Sequence, residues 1–210
     1  RGCGIAVAKK AAAGTGTWWR WMWAAWRAVG AYGTLSFERA YDLFREMAEA
    51  GAKAGADLIV VETMTDLYEA KAALLAAKEA AHLPVFVTMS FDAGGRTFTG
   101  CTVAPWPVQL EGLGADAIGL NCSLGPDLLA PLLKELCENT RLPVIAKPNA
   151  GLPDPVDGHY DMGPEDFAQA LLTCVEAGIS IVGGCCGTSP EYIRRLTAVL
   201  EGKKPVSRHY

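Results

Sequence analysis

The sequence predicts an α/β fold built on parallel strands, and three observations support that prediction. From residue 34 onward, short runs rich in valine and isoleucine alternate with longer segments of helical period. The candidate strands begin between 27 and 36 residues apart, a spacing that suits repeated strand-plus-helix units. The strand runs are almost entirely apolar, as expected for parallel strands buried on both faces. Both a TIM-type barrel and a doubly wound open sheet satisfy these observations.

The predicted elements follow one another in order from residue 36. The predicted helices are residues 36–55, 66–81, 126–139, 164–177 and 190–200, and the predicted strands are residues 57–63, 84–90, 116–121, 143–148 and 179–184. Ser36 is the candidate N-cap of the first helix, and the second helix is alanine-rich with a helical apolar stripe. The last three helices each begin with a proline in the first turn, and Ser189 is the candidate cap of the last one.

Composition restricts the class of protein. Half of the 210 residues are hydrophobic and 20% are charged, so one soluble domain spanning residues 1–210 is expected. The net charge of −4 provides no basic face for nucleic acid. No apolar run is long enough to cross a bilayer, and the first residues do not resemble a signal peptide. A cytoplasmic location, with no nucleic-acid or membrane partner, is therefore predicted.

The cysteines are seven in number and lack the spacing of a secreted disulfide framework. In a reducing compartment, clustered cysteines indicate metal binding or catalysis. Cys3, Cys101, Cys137 and Cys174 are interpreted as ordinary small hydrophobic residues or exposed thiols.

Polar and glycine-rich residues are concentrated directly after the predicted strands. They are residues 62–63, 90–92, 121–123, 147–149 and 183–188. In parallel α/β folds this end of the sheet carries the functional residues. No GxGxxG motif follows a strand and no P-loop lysine motif occurs, so a nucleotide-binding fold has little support.

Three cysteines stand at this end of two predicted strands. Cys122 ends one strand, and Cys185 and Cys186 follow another. If both strands belong to one barrel, the three sulfurs converge at its mouth, where three thiolates suit zinc and leave a fourth tetrahedral position open, as in catalytic sites. The residues alone leave other interpretations open: a buried strand cysteine at 122, and a packing pair, redox couple or vicinal disulfide at 185–186.

A zinc ion with an open position favours thiolate chemistry. A free thiol has a pKa around 8.5, so little thiolate exists at neutral pH. Coordination to Zn²⁺ removes the thiol proton. Three cysteinate ligands give the site a charge of −1, so a coordinated substrate thiolate would stay nucleophilic toward an activated methyl group. Water activation more often uses histidine-rich zinc sites.

Two motifs carry a family resemblance: Gly-Leu-Asn-Cys-Ser at 119–123 and Gly-Gly-Cys-Cys-Gly-Thr at 183–188. They resemble the homocysteine S-methyltransferase family, and within it the homocysteine-binding module of cobalamin-dependent methionine synthases. Segments 61–66, 147–151 and 160–162 also fit that module. The resemblance extends from about residue 34 to residue 208 and implies a (β/α)8 TIM-type barrel with zinc at its mouth.

The resemblance also implies roles for individual residues. Cys122, Cys185 and Cys186 would hold the zinc ion. Glu62 would bind the ammonium group of the substrate, and Asn149 would place its amide oxygen near the metal when no thiol is bound. Asn121 and Asp66 are further substrate-binding candidates, with loop shaping and helix capping as their respective alternatives.

The chain departs from the expected barrel in two ways. The sequence supplies five clear strands of the eight, so the first two βα units are expected to be absent. The third strand is expected to be atypical, because residues 17–31 are rich in tryptophan. One interpretation is a compensated frameshift across roughly residues 18–31, since another reading frame gives a family-like apolar strand. The rival interpretation is a membrane-surface or partner-binding patch.

The function implied is zinc-dependent transfer of a methyl group to the thiol of homocysteine, giving methionine. The alternatives are a truncated zinc-binding remnant without activity and a thiol redox protein that uses Cys185 and Cys186. The sequence leaves four methyl donors open. They are methylcobalamin on another domain or chain, methyltetrahydrofolate acting through methylcobalamin, S-methylmethionine and betaine. The likeness to the methionine synthase module favours methylcobalamin, and hence a cobalamin-binding or folate-binding module as partner.

Overall fold

The computed structural model describes residues 34–204, 206 and 208, together with the backbone of residues 20–24. Strands and helices alternate along this part of the chain. The strands are β1 Arg20–Ala24, β2 Leu58–Met64, β3 Val85–Met89, β4 Ala117–Asn121, β5 Val144–Lys147 and β6 Ile181–Val182. The helices are α1 Phe37–Lys53, α2 Leu67–Ala81, α3 Pro105–Gly112, α4 Pro126–Glu138, α5 Pro164–Glu176 and α6 Pro190–Leu200.

The strands form one sheet in the order β1-β2-β3-β4-β5-β6, and every neighbouring pair is parallel. A doubly wound sheet would reverse its strand order at a switch point. Sequential order combined with right-handed crossovers instead places the connecting helices on one face, as in a TIM barrel. The predicted parallel α/β fold is therefore confirmed, and the doubly wound alternative is wrong for the described strands.

The two faces of the sheet bury different partners. On one face, Ile59, Val61, Val85 and Val87 pack into the hydrophobic core that the helices share. On the other face, apolar side chains of β2, β3, β5 and β6 border a cavity of about 170 Å³. They are Leu58, Val60, Phe86, Ile145, Ile181 and Val182, together with the stem of Lys147. Because both faces are buried, the strands are apolar except near their carboxyl ends and lack the polar alternation of a half-exposed sheet.

Helix starts follow the predicted capping residues in part. The Ser36 hydroxyl accepts a hydrogen bond from the backbone N–H of Arg39 at 3.2 Å, as expected for an N-cap. Ser189 precedes α6, but its side chain makes no capping hydrogen bond, so that helix relies on the proline in its first turn. No helix in the described part of the chain combines the length and apolar character that crossing a bilayer requires.

The five predicted strands all form, with ends shifted by a few residues. The largest difference is at the last strand, predicted over 179–184, where only Ile181–Val182 pair with β5. The residues that follow become the loop that carries two of the site cysteines. The tryptophan-rich segment contributes the backbone of β1 beside β2, whereas its side chains, and with them the frameshift and surface-patch interpretations, lie outside the described residues.

Helix α3 begins with two prolines. Its first residue is Pro105, so both Pro105 and Pro107 lie in its first turn. The first backbone N–H groups of a helix have no intrahelical acceptor, and proline costs little there. Trp106 between them is completely buried and lies against Phe91, with ring centroids 6.4 Å apart.

Trp106 gives a first testable prediction. Its indole Nε1 is buried without a hydrogen-bond partner among the described residues. An orphaned donor costs about 1–3 kcal/mol, so Trp106→Phe, which keeps an aromatic ring and removes the donor, should change the free energy of unfolding by less than about 1 kcal/mol. Trp106→Ala should lose about 3–5 kcal/mol. Urea denaturation of both variants checks this, and equal losses for Phe and Ala would contradict it.

Candidate functional site

Three cysteine sulfurs meet at the carboxyl end of the sheet. Cys122 directly follows β4, and Cys185 and Cys186 lie in the loop after β6; their Sγ atoms are all within 4.8 Å of one another. The Cys122–Cys186 and Cys185–Cys186 sulfur distances are 3.8 and 4.0 Å. A tetrahedral zinc with bonds of about 2.3 Å separates its sulfurs by about 3.8 Å. The donor type and the spacing therefore both fit one zinc ion.

Backbone contacts position these sulfurs. The N–H of Cys122 donates to the carbonyl of Lys147 at 3.1 Å, and the N–H of Cys185 donates to the carbonyl of Pro148 at 2.9 Å, so both cysteines are tied to the end of β5. Cys122 and Ser123 adopt φ values of 64° and 58°, in the left-handed region. Non-glycine residues are disfavoured there by about 1–2 kcal/mol each, and such strain is concentrated at functional sites.

The pKa values of the three thiols are shifted in different directions. The pKa of Cys122 is lowered to about 5, chiefly because the Cys185 side chain donates a hydrogen bond to it, with further help from the Ser123 backbone. The pKa of Cys185 is raised because its proton is held by Cys122 and because it is buried. Burial and the nearby Cys122 charge raise the pKa of Cys186. Hydrogen bonding within the cluster therefore favours the thiolate form of Cys122.

A buried ion pair lies beside the cysteines on the face of the sheet opposite the helices. Lys147 Nζ donates to Glu62 Oε1, and the two side chains are only 8% and 10% exposed. Both residues line a cavity of about 750 Å³ that also includes Cys185. Glu62 was predicted as a site residue, whereas Lys147 was not. The signal that could have found Lys147 is its charge at the end of an otherwise apolar strand, where it begins the polar segment 147–149.

The other predicted residues fall into two groups. Asn149 and Asn121 lie against the cysteines: the amide oxygen of Asn149 accepts from the backbone N–H of Cys186 at 3.1 Å, and Asn121 Nδ2 is 3.9 Å from Cys185 Sγ. Asp66 lies at the start of α2, where its Oδ1 accepts from the N–H of Glu69 at 2.7 Å, and it does not border the cavity of Glu62 and Cys185. Its observed role is that of a helix cap.

Tyr160 is a neighbour of the cluster for which the sequence suggested no role. Its ring lies so close to Gly187 that a Cβ placed on that glycine would be 2.4 Å from the ring, and Gly187 also needs its φ of 80°. Burial raises the pKa of Tyr160, and the neighbouring Cys186 side chain adds to the effect. Tyr160 therefore covers one side of the Cys186 loop.

Comparison with known sequences gives consistent results. The homocysteine S-methyltransferase family model matches residues 3–200. The methionine synthase of Mycobacterium leprae (strain TN) is 38% identical over 167 residues, which are 76% of this chain and 14% of that protein. The methionine synthase of Mycobacterium tuberculosis (strain ATCC 25618 / H37Rv) is 38% identical over 175 residues, 80% of this chain and 15% of that protein. The chain thus spans about a seventh of the length of these relatives.

Solved structures share the fold. The apo form of the homocysteine methyltransferase MmuM from Escherichia coli superposes with a TM-score of 0.70 at 23% identity, covering 92% of this chain and 66% of that chain. The carboxyl transferase domain of Rhizobium etli pyruvate carboxylase gives a TM-score of 0.60 at 19% identity, covering 95% of this chain and 32% of that chain. A homocysteine methyltransferase and a carboxyl transferase domain thus share one parallel α/β arrangement with this chain at less than 25% identity, so this likeness concerns the fold alone.

Proposed function

Because the chain belongs to the homocysteine S-methyltransferase family, we propose that it binds one zinc ion through Cys122, Cys185 and Cys186 and methylates the thiol of homocysteine, giving methionine. The observation that carries this proposal is the convergence of the three sulfurs within 4.8 Å of one another. Three thiolates leave one tetrahedral position for a ligand from outside the chain. When bound there, zinc would supply the acidity that converts a substrate thiol into a thiolate at neutral pH.

Glu62 is proposed to bind the ammonium group of homocysteine. Its carboxylate borders the same cavity as Cys185, so an amino-acid thiol could reach the cysteine cluster and Glu62 together. Lys147 already forms an ion pair with this carboxylate, which balances its charge in a site that water hardly reaches. The substrate ammonium would therefore share Glu62 with Lys147 or displace it.

The two asparagines are proposed to act at the same end of the cavity. Asn149 is proposed to bring its amide oxygen near the metal when no thiol is bound; in the structure that oxygen accepts from Cys186 N, so it already orients one ligand loop. Asp66, retained as a proposed substrate contact, has weaker support because its carboxylate caps α2.

The methyl donor is proposed to be methylcobalamin carried on another module or chain. The 38% identical relatives are methionine synthases, of which this chain corresponds to about a seventh. The sequential parallel strands are proposed to be consecutive members of a (β/α)8 barrel, whose mouth would present the site to that module.

The proposed function is tested by metal content and homocysteine titration of protein purified under reducing conditions. We expect about one zinc per chain, and calorimetry in two buffers should show about one proton released per homocysteine bound. Homoserine, which lacks the thiol, should release none. If the protein holds zinc but does not bind homocysteine, the chain is a metal-binding remnant without the proposed activity. If the protein holds no zinc, the proposal is wrong.

A further inference from the structure

Strand β2 contains an extra residue next to Glu62. Val61 pairs with Val87 and Met64 pairs with Met89, so three steps along β2 match two steps along β3. This is the signature of a β-bulge, a feature that re-aims side chains near active sites. Within it, Thr63 has a φ of 60°, which a β-branched residue adopts only under constraint from its surroundings.

The bulge changes which side chains face the cavity. Val61 and Met64 both pack into the core on the helix side of the sheet. The two residues between them, Glu62 and Thr63, both border the cavity of the cysteine site. Regular alternation would have sent one of this pair toward the helices. The bulge therefore allows two consecutive polar residues to face the proposed substrate.

Asn121 holds this bulge in place. Its Oδ1 accepts from the N–H of Thr63 at 3.0 Å and from the hydroxyl of Thr88 at 2.7 Å. Its Nδ2 donates to the Thr63 hydroxyl at 2.7 Å and lies 3.4 Å from Glu62 Oε1. Asn121 is completely buried, and an amide offers two acceptor and two donor positions, all of which have a neighbour here.

We propose that Asn121 is a positioning residue that aims Glu62 at the ammonium group of the substrate by holding Thr63 in its left-handed conformation. This inference rests on the proposed function, because it concerns the same substrate. In this proposal Asn121 acts through Glu62 and Thr63, since its amide atoms are already engaged with Thr63, Thr88 and Glu62. Asn121 directly precedes Cys122, and its Nδ2 is 3.9 Å from Cys185 Sγ, so zinc content has to be measured beside substrate affinity.

The amide is not replaceable by a similar side chain. Aspartate has no donor and would bury a second negative charge beside Glu62. Alanine would leave the Thr63 N–H and the Thr88 hydroxyl without their partner, so the bulge would lose the contacts that offset its strain. In either case Glu62 is expected to move, while Cys122 and Cys185 keep their backbone hydrogen bonds to Lys147 and Pro148 at the end of β5, and Cys186 keeps its bond from Ala150 N.

The test compares homocysteine with 4-mercaptobutyrate, which is the same molecule without its amino group. Zinc content, thermal stability and the dissociation constants of both thiols are measured for the wild type and Asn121→Ala. We expect homocysteine to bind about 10-fold to 100-fold more weakly to the variant, as for loss of a hydrogen-bonded charged contact. Affinity for 4-mercaptobutyrate and zinc content should stay within about threefold of the wild type, because neither depends on the ammonium subsite.

Two further variants keep the inference falsifiable. Thr63→Val removes the hydroxyl that Asn121 binds and keeps the shape, so it should show the same selective loss in weaker form, even if Asn121→Ala folds poorly. Asn139→Ala, at the end of α4, is the matched control for an asparagine truncation and should leave the dissociation constants of both thiols unchanged. Equal weakening of both thiols would overturn the inference but not the proposed function. A wild type that holds zinc without binding homocysteine would end both.

Discussion

Replacing Cys122 by alanine is expected to remove zinc from the chain and to abolish thiol activation. Cys122 lies 3.8 Å from Cys186, and its pKa is the one that is lowered within the cluster, so its loss removes a ligand and the thiol that ionises most readily. Loss of a residue that only hydrogen-bonds to a metal ligand typically lowers metal affinity about 10-fold to 100-fold. Loss of a ligand itself should lower the affinity further. Zinc content after gel filtration and competition with a chromogenic chelator measure the effect.

Cys137→Ala is the matched control for this prediction. Cys137 is a free thiol at the end of α4, outside the cluster, with a pKa raised by burial. We expect the control to keep its zinc and its homocysteine-dependent proton release. A Cys122 variant that retains zinc as firmly as the control would show that the three sulfurs do not act as one ligand set, and would remove the main support for the proposed function.

The second large effect is expected from Gly119→Ala in β4. A Cβ at this position would lie 2.2 Å from the carbonyl oxygen and 2.4 Å from the Cβ of Ile145, its partner in β5. The obstacle includes backbone of a paired strand, which can yield only by opening the sheet. We expect a loss of about 3 kcal/mol or more in the free energy of unfolding, because overpacking costs of this size arise where neighbours cannot move. Urea denaturation and zinc content together measure it.

Gly112→Ala provides the comparison. Gly112 is at the end of α3, and a Cβ there would meet nothing within 4 Å. Alanine is favoured over glycine in helices by up to about 1 kcal/mol, so this variant should be neutral or slightly more stable. If the two variants unfold at the same urea concentration, the close contact between β4 and β5 is not a feature of the folded protein. Zinc loss in the Gly119 variant alone would link strand pairing to the cysteine site.

The sequence predicts the sheet well because each strand is buried on both faces. Continuous apolar runs, separated by helical periods, identified the five strands from β2 onward and placed Cys122 and Cys185 at the same edge. The end of β6 was predicted too far along, since Gly183 and Gly184 extend the run without pairing as strand. Helix α3 is absent from the predicted helices, and its two prolines hide it in the sequence, although proline is unfavourable inside a helix but not in its first turn.

The fine structure of the site could not be read from the sequence. The Glu62–Lys147 pair depends on how β2 and β5 face each other, which no local pattern encodes. The bulge at Thr63 runs against the preference of a β-branched residue, so propensity predicts its absence. Asp66 fits two roles equally well in sequence, as a carboxylate at the functional edge and as a cap, and only the position of α2 shows that it caps the helix.

The arrangement of the cysteines also has a mechanical consequence. Cys122 and Cys186 are 64 positions apart, and β6, the two-residue strand before the second of them, is the shortest in the described sheet. A zinc ion bound by both Cys122 and Cys186 would cross-link the two ends of a long loop of chain, as a disulfide does. Unlike a disulfide, this cross-link could be removed with a chelator. The C-terminal end of the sheet would then be the first part to fray when the metal is withdrawn, so loading with zinc would set both the reactivity of the site and the lifetime of the fold around it.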